Sequence, residues 1–159
     1  MKKKNFDRGF TLIELLVSIA IIAILSGVIM WVISDAKNKN ADAAIKQALS
    51  GIAAQSGIFY LDNDHSLAGF CSSTEPKGAY PIVLNAANNA GLATVRVNEA
   101  GNLNTATCNN SETAWAAEVP LKIKNLGGSG MSAMFCVDST GFTGTRSTSM
   151  GMGVTCPSL

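Results

Sequence analysis

The sequence predicts an α+β fold, in which a long N-terminal helix packs on a small antiparallel β-sheet. Residues 15–34 form an uncharged, predominantly apolar run of 20 residues, and no proline occurs before Pro76, so a helical pattern continues to about Leu61. After Leu61 the composition shifts to glycine, serine, threonine and asparagine. Short apolar stretches between turn signals are typical of strands, and they complete the prediction.

The overall composition narrows the class of protein. The 159 residues are 47% hydrophobic and 14% charged, with a formal net charge of +1. A chain of this length predicts one compact domain with at most a small added element. Because the net charge is close to zero, no broad basic field favours nucleic-acid binding. A chain that begins as a membrane segment and continues as a globular one also argues against an ordinary soluble enzyme.

The apolar run is long enough to cross a membrane, since 20 residues at about 1.5 Å rise cover roughly 30 Å. Lys2, Lys3, Lys4 and Arg8 precede the run against a single Asp7, which predicts a cytoplasmic N-terminus. A cleaved secretory signal fits less well, because its apolar core is usually about 7–15 residues and ends at a small-x-small cleavage site. An uncleaved membrane anchor and a buried core helix remain as alternatives.

The helical pattern beyond Asp35 is amphipathic. Its apolar residues recur on one helical face, while the charged residues lie mostly elsewhere. The apolar stripe consists of Ala41, Ile45, Leu49, Ile52 and Phe59, and the polar residues are Lys37, Lys39, Asp42, Lys46 and Gln47. We expect the stripe to pack on the globular part of the chain, and the Asn63-Asp64 pair to end the helix.

Glu14 lies at the start of the apolar run, four residues after Phe10. A carboxylate costs about 2.5–3.5 kcal/mol at the centre of a bilayer and less near its surface. The side chain could simply reach the lipid headgroups, or a positive group at the same depth could neutralise it. Cleavage between Gly9 and Phe10 would create such a group. The new amino terminus would lie near Glu14 on the same helix, or a neighbouring helix would supply it.

These N-terminal residues resemble those of the type IV pilins and pseudopilins. The similarity is carried by Gly9-Phe10-Thr11-Leu12-Ile13-Glu14-Leu15-Leu16, after a lysine-rich leader and before the apolar helix. The resemblance implies that a prepilin peptidase cuts after Gly9 and that the amino group of Phe10 is methylated. It also implies that Glu14 neutralises the terminus of a neighbouring subunit during filament assembly. Many family members have a proline, at which the helix kinks and can melt, where this chain has Trp31.

The resemblance implies a pilin-like organisation in four segments. They are a leader peptide at residues 1–9, a transmembrane and filament-core helix at 10–34, an amphipathic helix half at 35–62 and a β-rich globular head at 63–159. The implied function is structural and not enzymatic: a pilin of a type IV pilus, serving adhesion, twitching motility or DNA uptake. A type II secretion pseudopilin is the alternative. A membrane-anchored periplasmic domain that does not assemble is a further one.

The resemblance also implies partners and a location. The partners are the prepilin peptidase, an inner-membrane assembly platform and further copies of the chain in a helical filament. Before assembly the chain would cross the bacterial inner membrane once, with its N-terminus in the cytoplasm. Afterwards it would lie in an extracellular pilus or a periplasmic pseudopilus. No cofactor and no nucleic-acid partner are expected.

Within the head, short stretches predict three or four antiparallel strands laid on the amphipathic helix. The strands are expected at Ala93–Asn98, Ala114–Lys124 and Met131–Asp138, with a fourth at Gly151–Cys156, and turns or loops at 98–102, 126–130 and 138–141. Residues 81–90 predict a short helix or an irregular connection.

The head contains all four cysteines, Cys71, Cys108, Cys136 and Cys156. An even number in an exported domain predicts disulfides, and four cysteines allow three pairings. A structural zinc site is the alternative, but the chain has no C-x-x-C spacing and a single histidine. Pilins commonly close a C-terminal loop with a disulfide, so the resemblance favours the sequential pairing. Together with the "CVDSTG" stretch, it also favours the pilus over the pseudopilus.

The chain offers little else for chemistry. His65 is the only histidine, which excludes a site built on several imidazoles and predicts an exposed turn residue. P-loop, G-x-S-x-G and Rossmann glycine patterns are absent from the sequence. Asp62, Asp64 and Asp138 could contribute to a calcium site, but they do not form a carboxylate-rich loop, so no metal site is expected.

Basic residues in the head could form a small patch. They are Lys122, Lys124, Arg96 and Arg146. We expect them to lie instead on a solvated face.

Overall fold

The structure is a computed structural model and describes residues 10–123 and 133–157, apart from the side chains of residues 30–32. The helices are α1 (Leu12–Ser50), α2 (Ile52–Asp62) and α3 (Tyr80–Ala90), and the strands are β1 (Val95–Val97), β2 (Ala106–Asn110), β3 (Trp115–Pro120), β4 (Met134–Asp138) and β5 (Thr143–Arg146). The leader at 1–9, Lys124, the loop at 126–130 and the Trp31 side chain lie outside this description. The elements form the α+β, pilin-like arrangement that the sequence predicts.

The chain divides into two compact units between Lys37 and Asn38. In the first unit, the helix is apolar on all sides. The large apolar side chains between Leu12 and Ile29 are 52–76% exposed. By length and composition, one helical stretch among the described residues, Leu12–Asp62, is able to cross a membrane, and its most apolar 18-residue window contains no buried residue. This helix fits the membrane anchoring that the apolar run predicts.

The helical path runs almost without interruption from Leu12 to Asp62. Gly51 separates α1 from α2 but keeps near-helical dihedrals, with φ −77° and ψ −15°, and its carbonyl still accepts the N–H of Gln55 at 3.3 Å. The path ends at Asn63, which caps α2. Asp64 and His65 follow with positive φ values of 48° and 61°. The Asn63-Asp64 pair therefore ends the helix, as predicted.

The second unit contains a five-stranded sheet in the order β1-β2-β3-β4-β5. Strands β1 and β2 are parallel, and the other neighbours are antiparallel. The small antiparallel sheet that the sequence predicts is thus present, with five strands in place of the expected three or four and one parallel pair, β1–β2, among the described residues. Because β1 and β2 are parallel, residues 98–105 return the chain to the end of the sheet at which β1 begins, and β2 starts from there.

Two strands were not predicted, and one predicted strand is absent from the described residues. In β2 apolar and polar residues alternate, but both faces are buried, and two of its five residues are asparagine, which is depleted in strands. Strand β5 is a four-residue edge strand with a glycine. Residues 151–156 form turns and not a strand. Gly151 has a φ of 61°, and its carbonyl accepts hydrogen bonds from the Asn109 side chain and from the backbone N–H of Gly101, which belongs to no strand.

The helices and the sheet share one core. Ile45, Leu49 and Ile52 are fully buried there, as the predicted stripe requires, and Phe59 packs against the same cluster from a half-buried position. The rings of Phe59 and Phe70 lie 5.2 Å apart, and those of Phe70 and Trp115 lie 5.7 Å apart. Helix α3 covers the first three strands, which confirms the helical alternative for residues 81–90.

The opposite face of the sheet is covered by the chain end. We call Ser149–Pro157 the C-terminal segment. Met150 and Cys156 of this segment pack on Ala116 and Cys136, which point away from the helices. Both faces of the central strands are therefore buried, and the face under the C-terminal segment is rich in polar residues.

Candidate functional site

The first turn of α1 is closed by Thr11 and Glu14. The backbone N–H and the hydroxyl of Thr11 both donate to Oε2 of Glu14, at 2.9 and 2.8 Å. In return, the backbone N–H of Glu14 donates to Oγ1 of Thr11 at 3.3 Å. This reciprocal pair is a capping box, and the negative carboxylate suits the positive end of the helix dipole. The chain itself thus fixes the position of Glu14.

The surroundings of Glu14 are apolar. An open groove along the first turns of α1 is lined by Phe10, Ile13, Glu14, Val17 and Ser18. The hydroxyl of Ser18 donates to the carbonyl of Glu14 at 2.6 Å, so it is occupied by the helix backbone. The carboxylate is therefore the charged group of this groove, and the groove suits an apolar partner that carries one positive charge.

Phe10 is the first described residue, and its side chain is 84% exposed. Gly9 lies outside the described residues. Cleavage between them, methylation of Phe10 and the assembly role of Glu14 remain predictions.

In the head, the structure contains two disulfides. Cys71 pairs with Cys108, with a Cα–Cα distance of 5.5 Å, and Cys136 pairs with Cys156, with a Cα–Cα distance of 5.9 Å. The first bridge lies within the main core and ties the chain before α3 to β2. The second lies on the opposite face and ties β4 to the C-terminal segment.

Hydrogen bonds from two uncharged groups and from one arginine also hold the C-terminal segment on the sheet. The Asn109 amide donates to the carbonyls of Gly151 and Gly153 at 3.1 and 3.3 Å. The Gly101 N–H donates to the Gly151 carbonyl at 3.0 Å. Near the chain end, Nε of Arg146 donates to the carbonyl of Pro157 at 2.7 Å. The segment is therefore attached along its whole described length.

Glu118 holds the near end of the segment. Its side chain is fully buried, its Oε1 is bonded to the Ser149 hydroxyl, and its Oε2 accepts the N–H of Met150 at 2.9 Å. Burial raises the pKa of Glu118, because it penalises the ionised form more than these two neutral donors stabilise it.

Asp138 holds the far end. Its Oδ2 accepts the N–H of Cys156 at 2.7 Å, and its Oδ1 accepts from Thr140 and Phe142. Burial acts to raise the pKa of Asp138, but these hydrogen bonds together outweigh it and lower the pKa. Two carboxyl groups on one face thus have pKa values shifted in opposite directions.

Asp42 belongs to the polar residues predicted to lie mostly off the apolar stripe, and the structure shows that it is nevertheless buried. Its side chain is only 6% exposed, and its Oδ1 and Oδ2 accept the N–H groups of Lys122 and Ile123 at 2.7 and 3.1 Å. Because the chain after β3 needs acceptors for these two amides, a carboxylate stands next to the apolar stripe. Asp42 therefore ties α1 to the end of β3.

The calcium candidates do not come together. Asp62 pairs with Lys77 at 2.6 Å, and Asp138 is occupied by backbone amides. In the part of the chain that the structure describes, no group of three or more possible metal ligands is found. His65 is exposed in the turn after α2, as predicted, with its ring edge-on to Tyr60 at 5.2 Å.

The predicted basic residues lie apart. Arg96 belongs to β1 and Arg146 to β5, at the two edges of the sheet. Arg146 stacks on Phe142 at 3.9 Å, and Lys122 follows β3 as an exposed residue. The described members therefore do not form one patch.

Sequence reasoning missed the structural role of the polar residues that organise the head, namely Asp42, Asn109, Glu118 and Asp138. Glu118 carried a signal, because it is the one charged residue within the apolar stretch 114–121. Thr11 carried another, since T-x-x-E before an apolar run is the pattern of a capping box.

Residues 4–30 match the model of a family described as the prokaryotic N-terminal methylation motif. This motif is the prepilin signature of type IV pilins and pseudopilins, and it indicates a structural subunit and implies processing by a prepilin peptidase. No curated protein and no solved structure matches the chain.

Proposed function

We propose that the chain is the structural subunit, the pilin, of a type IV pilus. It is assembled from the inner membrane after cleavage between Gly9 and Phe10 and methylation of the new amino group. The observation that carries the proposal is the position of Glu14. Glu14 lies within the residues that match the methylation motif and in the first turn of a helix whose large apolar side chains are exposed.

The apolar helix needs an environment that water does not provide. Burying one Leu, Ile or Val side chain is worth about 1.5–3 kcal/mol relative to leaving it in water. A membrane supplies that burial before assembly. After extraction, the helices of neighbouring subunits supply it, and a bundle of such helices forms the core of a filament.

Glu14 gives this assembly its register. Within one chain, both donors from Thr11 reach the same oxygen, Oε2. Among the described residues, no donor reaches Oε1, which remains available to the methylated ammonium of a neighbouring Phe10. An ammonium and a carboxylate attract each other strongly in an apolar medium, so the pair favours the one axial offset at which they meet.

The choice of pilus over pseudopilus is supported by the second disulfide. Cys136–Cys156 closes a C-terminal loop on the outer face of the sheet, in the manner common among pilins. A loop stapled in this way suits a head domain that is exposed on an extracellular fibre.

The test is filament incorporation in a host that carries a matching peptidase and assembly platform. Glu14→Ala and Glu14→Gln are expected to insert into the membrane and to be processed, but to be absent from filaments sheared off the cell surface. Ser18→Ala is the matched control, because Ser18 lines the same groove and its hydroxyl donates to the helix backbone; it should incorporate like the wild type.

The possible outcomes separate the rival functions. Wild-type chain in sheared surface filaments supports the pilin. Processed chain that never reaches the surface but is required for secretion of folded proteins would identify a pseudopilin instead. A chain that keeps its leader and stays a membrane-bound monomer would identify an anchored domain. Incorporation of Glu14→Ala at the wild-type level would remove the role assigned to Glu14.

A further inference from the structure

We propose that the C-terminal segment is a latch on the sheet and that ionisation of Glu118 opens it. When the carboxyl group loses its proton to solvent, residues Ser149–Gly153 leave the sheet, while the Cys136–Cys156 disulfide keeps the chain end attached. The proposal concerns the unit that begins at Asn38 and holds whether or not the chain assembles into a filament.

The position of Glu118 makes it the centre of the latch. It lies in the middle of β3, paired with Thr107 of β2 and with Cys136 of β4, and water does not reach it. The backbone of Gly101 closes over the carboxyl group. A Cβ atom at Gly101 would lie 2.7 Å from Oε1 of Glu118 and 2.5 Å from Oγ1 of Thr107. The carboxyl group therefore gains water only when the C-terminal segment or the loop that carries Gly101 moves away from it.

The donors that reach Glu118 are neutral. They are the hydroxyl of Ser149 and the N–H of Met150, both in the latch itself. Residues 149–157 contain no charged side chain. Ionisation therefore places a full negative charge in a buried site that has two hydrogen bonds and no described cation, which is the costly case.

The charged groups on the surrounding elements do not relieve this cost. Asp138 on β4 shares the face and is itself negative. Glu99, in the loop that carries Gly101, pairs with Arg96 at 3.8 Å. Arg146 lies on β5, two strands away, where it binds the Pro157 carbonyl and stacks on Phe142. Neighbouring β2 presents the uncharged Thr107 and Asn109. The field around Glu118 thus favours the neutral acid, in agreement with its raised pKa.

The other attachments decide how far the latch opens. The Asn109 bonds to Gly151 and Gly153 join neutral groups, so they resist opening to the same extent at every pH and break only when the stretch leaves the sheet. Asp138 has a lowered pKa and keeps its bond to the Cys156 N–H at the pH at which Glu118 ionises. The released part is therefore the stretch next to Glu118, and the disulfide limits its excursion.

The direction of the pH dependence follows from linkage. In the open latch Glu118 has an ordinary pKa of about 4.3, and in the closed latch its pKa is raised. The closed state is therefore fully favoured below the ordinary value and loses stability as the pH rises towards the raised one. Between the two values one proton is released on opening, so the opening equilibrium constant increases about tenfold per pH unit and then levels off.

The experiment is hydrogen exchange of the full chain in detergent micelles, from about pH 4 to about pH 9, a range that spans the ordinary pKa of glutamate and a strongly raised one. The reporters are the amides of Gly101 and Met150, corrected for the base catalysis of exchange itself. In the wild type, their protection should fall about tenfold per pH unit and then level off. Glu118→Gln keeps the shape, can accept the Met150 N–H with its amide oxygen and can donate to the Ser149 hydroxyl with its amide nitrogen, but it cannot ionise, so its protection should not depend on pH.

Asp62→Asn is the matched control, since Asp62 is an exposed carboxylate of the same unit; its profile should match that of the wild type. Should Glu118→Gln fail to fold, carbon NMR titration of the Glu118 carboxyl in the wild type replaces it. That titration should then share its midpoint with the levelling of Met150 protection. A flat wild-type profile, an unchanged slope in Glu118→Gln, or an ordinary pKa for Glu118 would each overturn the proposal.

Discussion

Replacing Asp42 by alanine is expected to lower the free energy of unfolding of the head by about 2–3 kcal/mol. The carboxylate accepts two backbone N–H groups, at 2.7 and 3.1 Å, from residues that lie 80 and 81 positions later in the chain. Alanine removes both acceptors, and no other described side chain of α1 accepts from these amides.

The magnitude follows from the exposure of the partners. A hydrogen bond to a charged group is worth about 1.5–3 kcal/mol when it is buried. Asp42 is buried, but both bonds are only partly so, and Lys122 is exposed, so water replaces part of what the amides lose. Two bonds reduced in this way give about 2–3 kcal/mol. Asp42→Asn keeps one acceptor oxygen and should lose about half as much.

The assay is denaturant unfolding of the full chain in detergent micelles, followed by tryptophan fluorescence. The chain has two tryptophans, so a Trp31→Phe background leaves the buried Trp115 as the only reporter. Gln47→Ala, an exposed position on the same helix, should change the stability by less than about 0.5 kcal/mol. Equal effects of Asp42→Ala and Gln47→Ala would refute the assigned role of the carboxylate.

Two further outcomes are expected. Gly101→Ala should destabilise the head by about 1–3 kcal/mol, because its Cβ would meet the buried Thr107 and Glu118 side chains. Gly57→Ala, in an exposed helical position with nothing near its Cβ, should stabilise it by about 0.5–1 kcal/mol. Equal unfolding midpoints for the two variants would contradict the close packing of Gly101 on Thr107 and Glu118. A mild reductant should open Cys136–Cys156 before Cys71–Cys108, because Cys156 is partly exposed whereas Cys71 and Cys108 are fully buried. Mass spectrometry after timed alkylation checks the order, and earlier labelling of Cys71 would contradict it.

The helical half of the molecule follows from local pattern. The stripe that includes Ile45, Leu49 and Ile52 repeats at helical spacing, and a periodic signal of this length specifies both the element and its buried face. The end of the helix at Asn63 was likewise predicted from residues adjacent in sequence, the Asn63-Asp64 pair. These features depend on residues that are close in sequence, so no knowledge of the tertiary fold was needed.

The sheet was harder to predict, because its pattern depends on what covers it. In β2, Thr107 and Asn109 are buried under the C-terminal segment, and Ala106 and Cys108 under the helices. Because polar residues occupy one buried face, among them asparagine, which is depleted in strands, the sequence of this stretch resembles a loop. Strand β5 is too short to carry a pattern.

The N-terminal site was predictable in position, but its geometry was not predicted. Gly9, Phe10 and Glu14 were identified by resemblance, while the bonds from Thr11 to Glu14 came from the structure. The long-range hydrogen bonds of the polar side chains in the head were not predicted at all. Asp42 and Glu118 reach partners 80 and about 31 residues away, and single-sequence patterns contain no record of such distant pairs.

The most direct test of the assembly account is the mass of the mature N-terminus. N-terminal peptides of the chain, isolated from membranes of a host with a prepilin peptidase, should begin at Phe10 and be heavier by one methyl group. A chain that still begins at Met1, or one that is cut after the apolar run, would contradict the account.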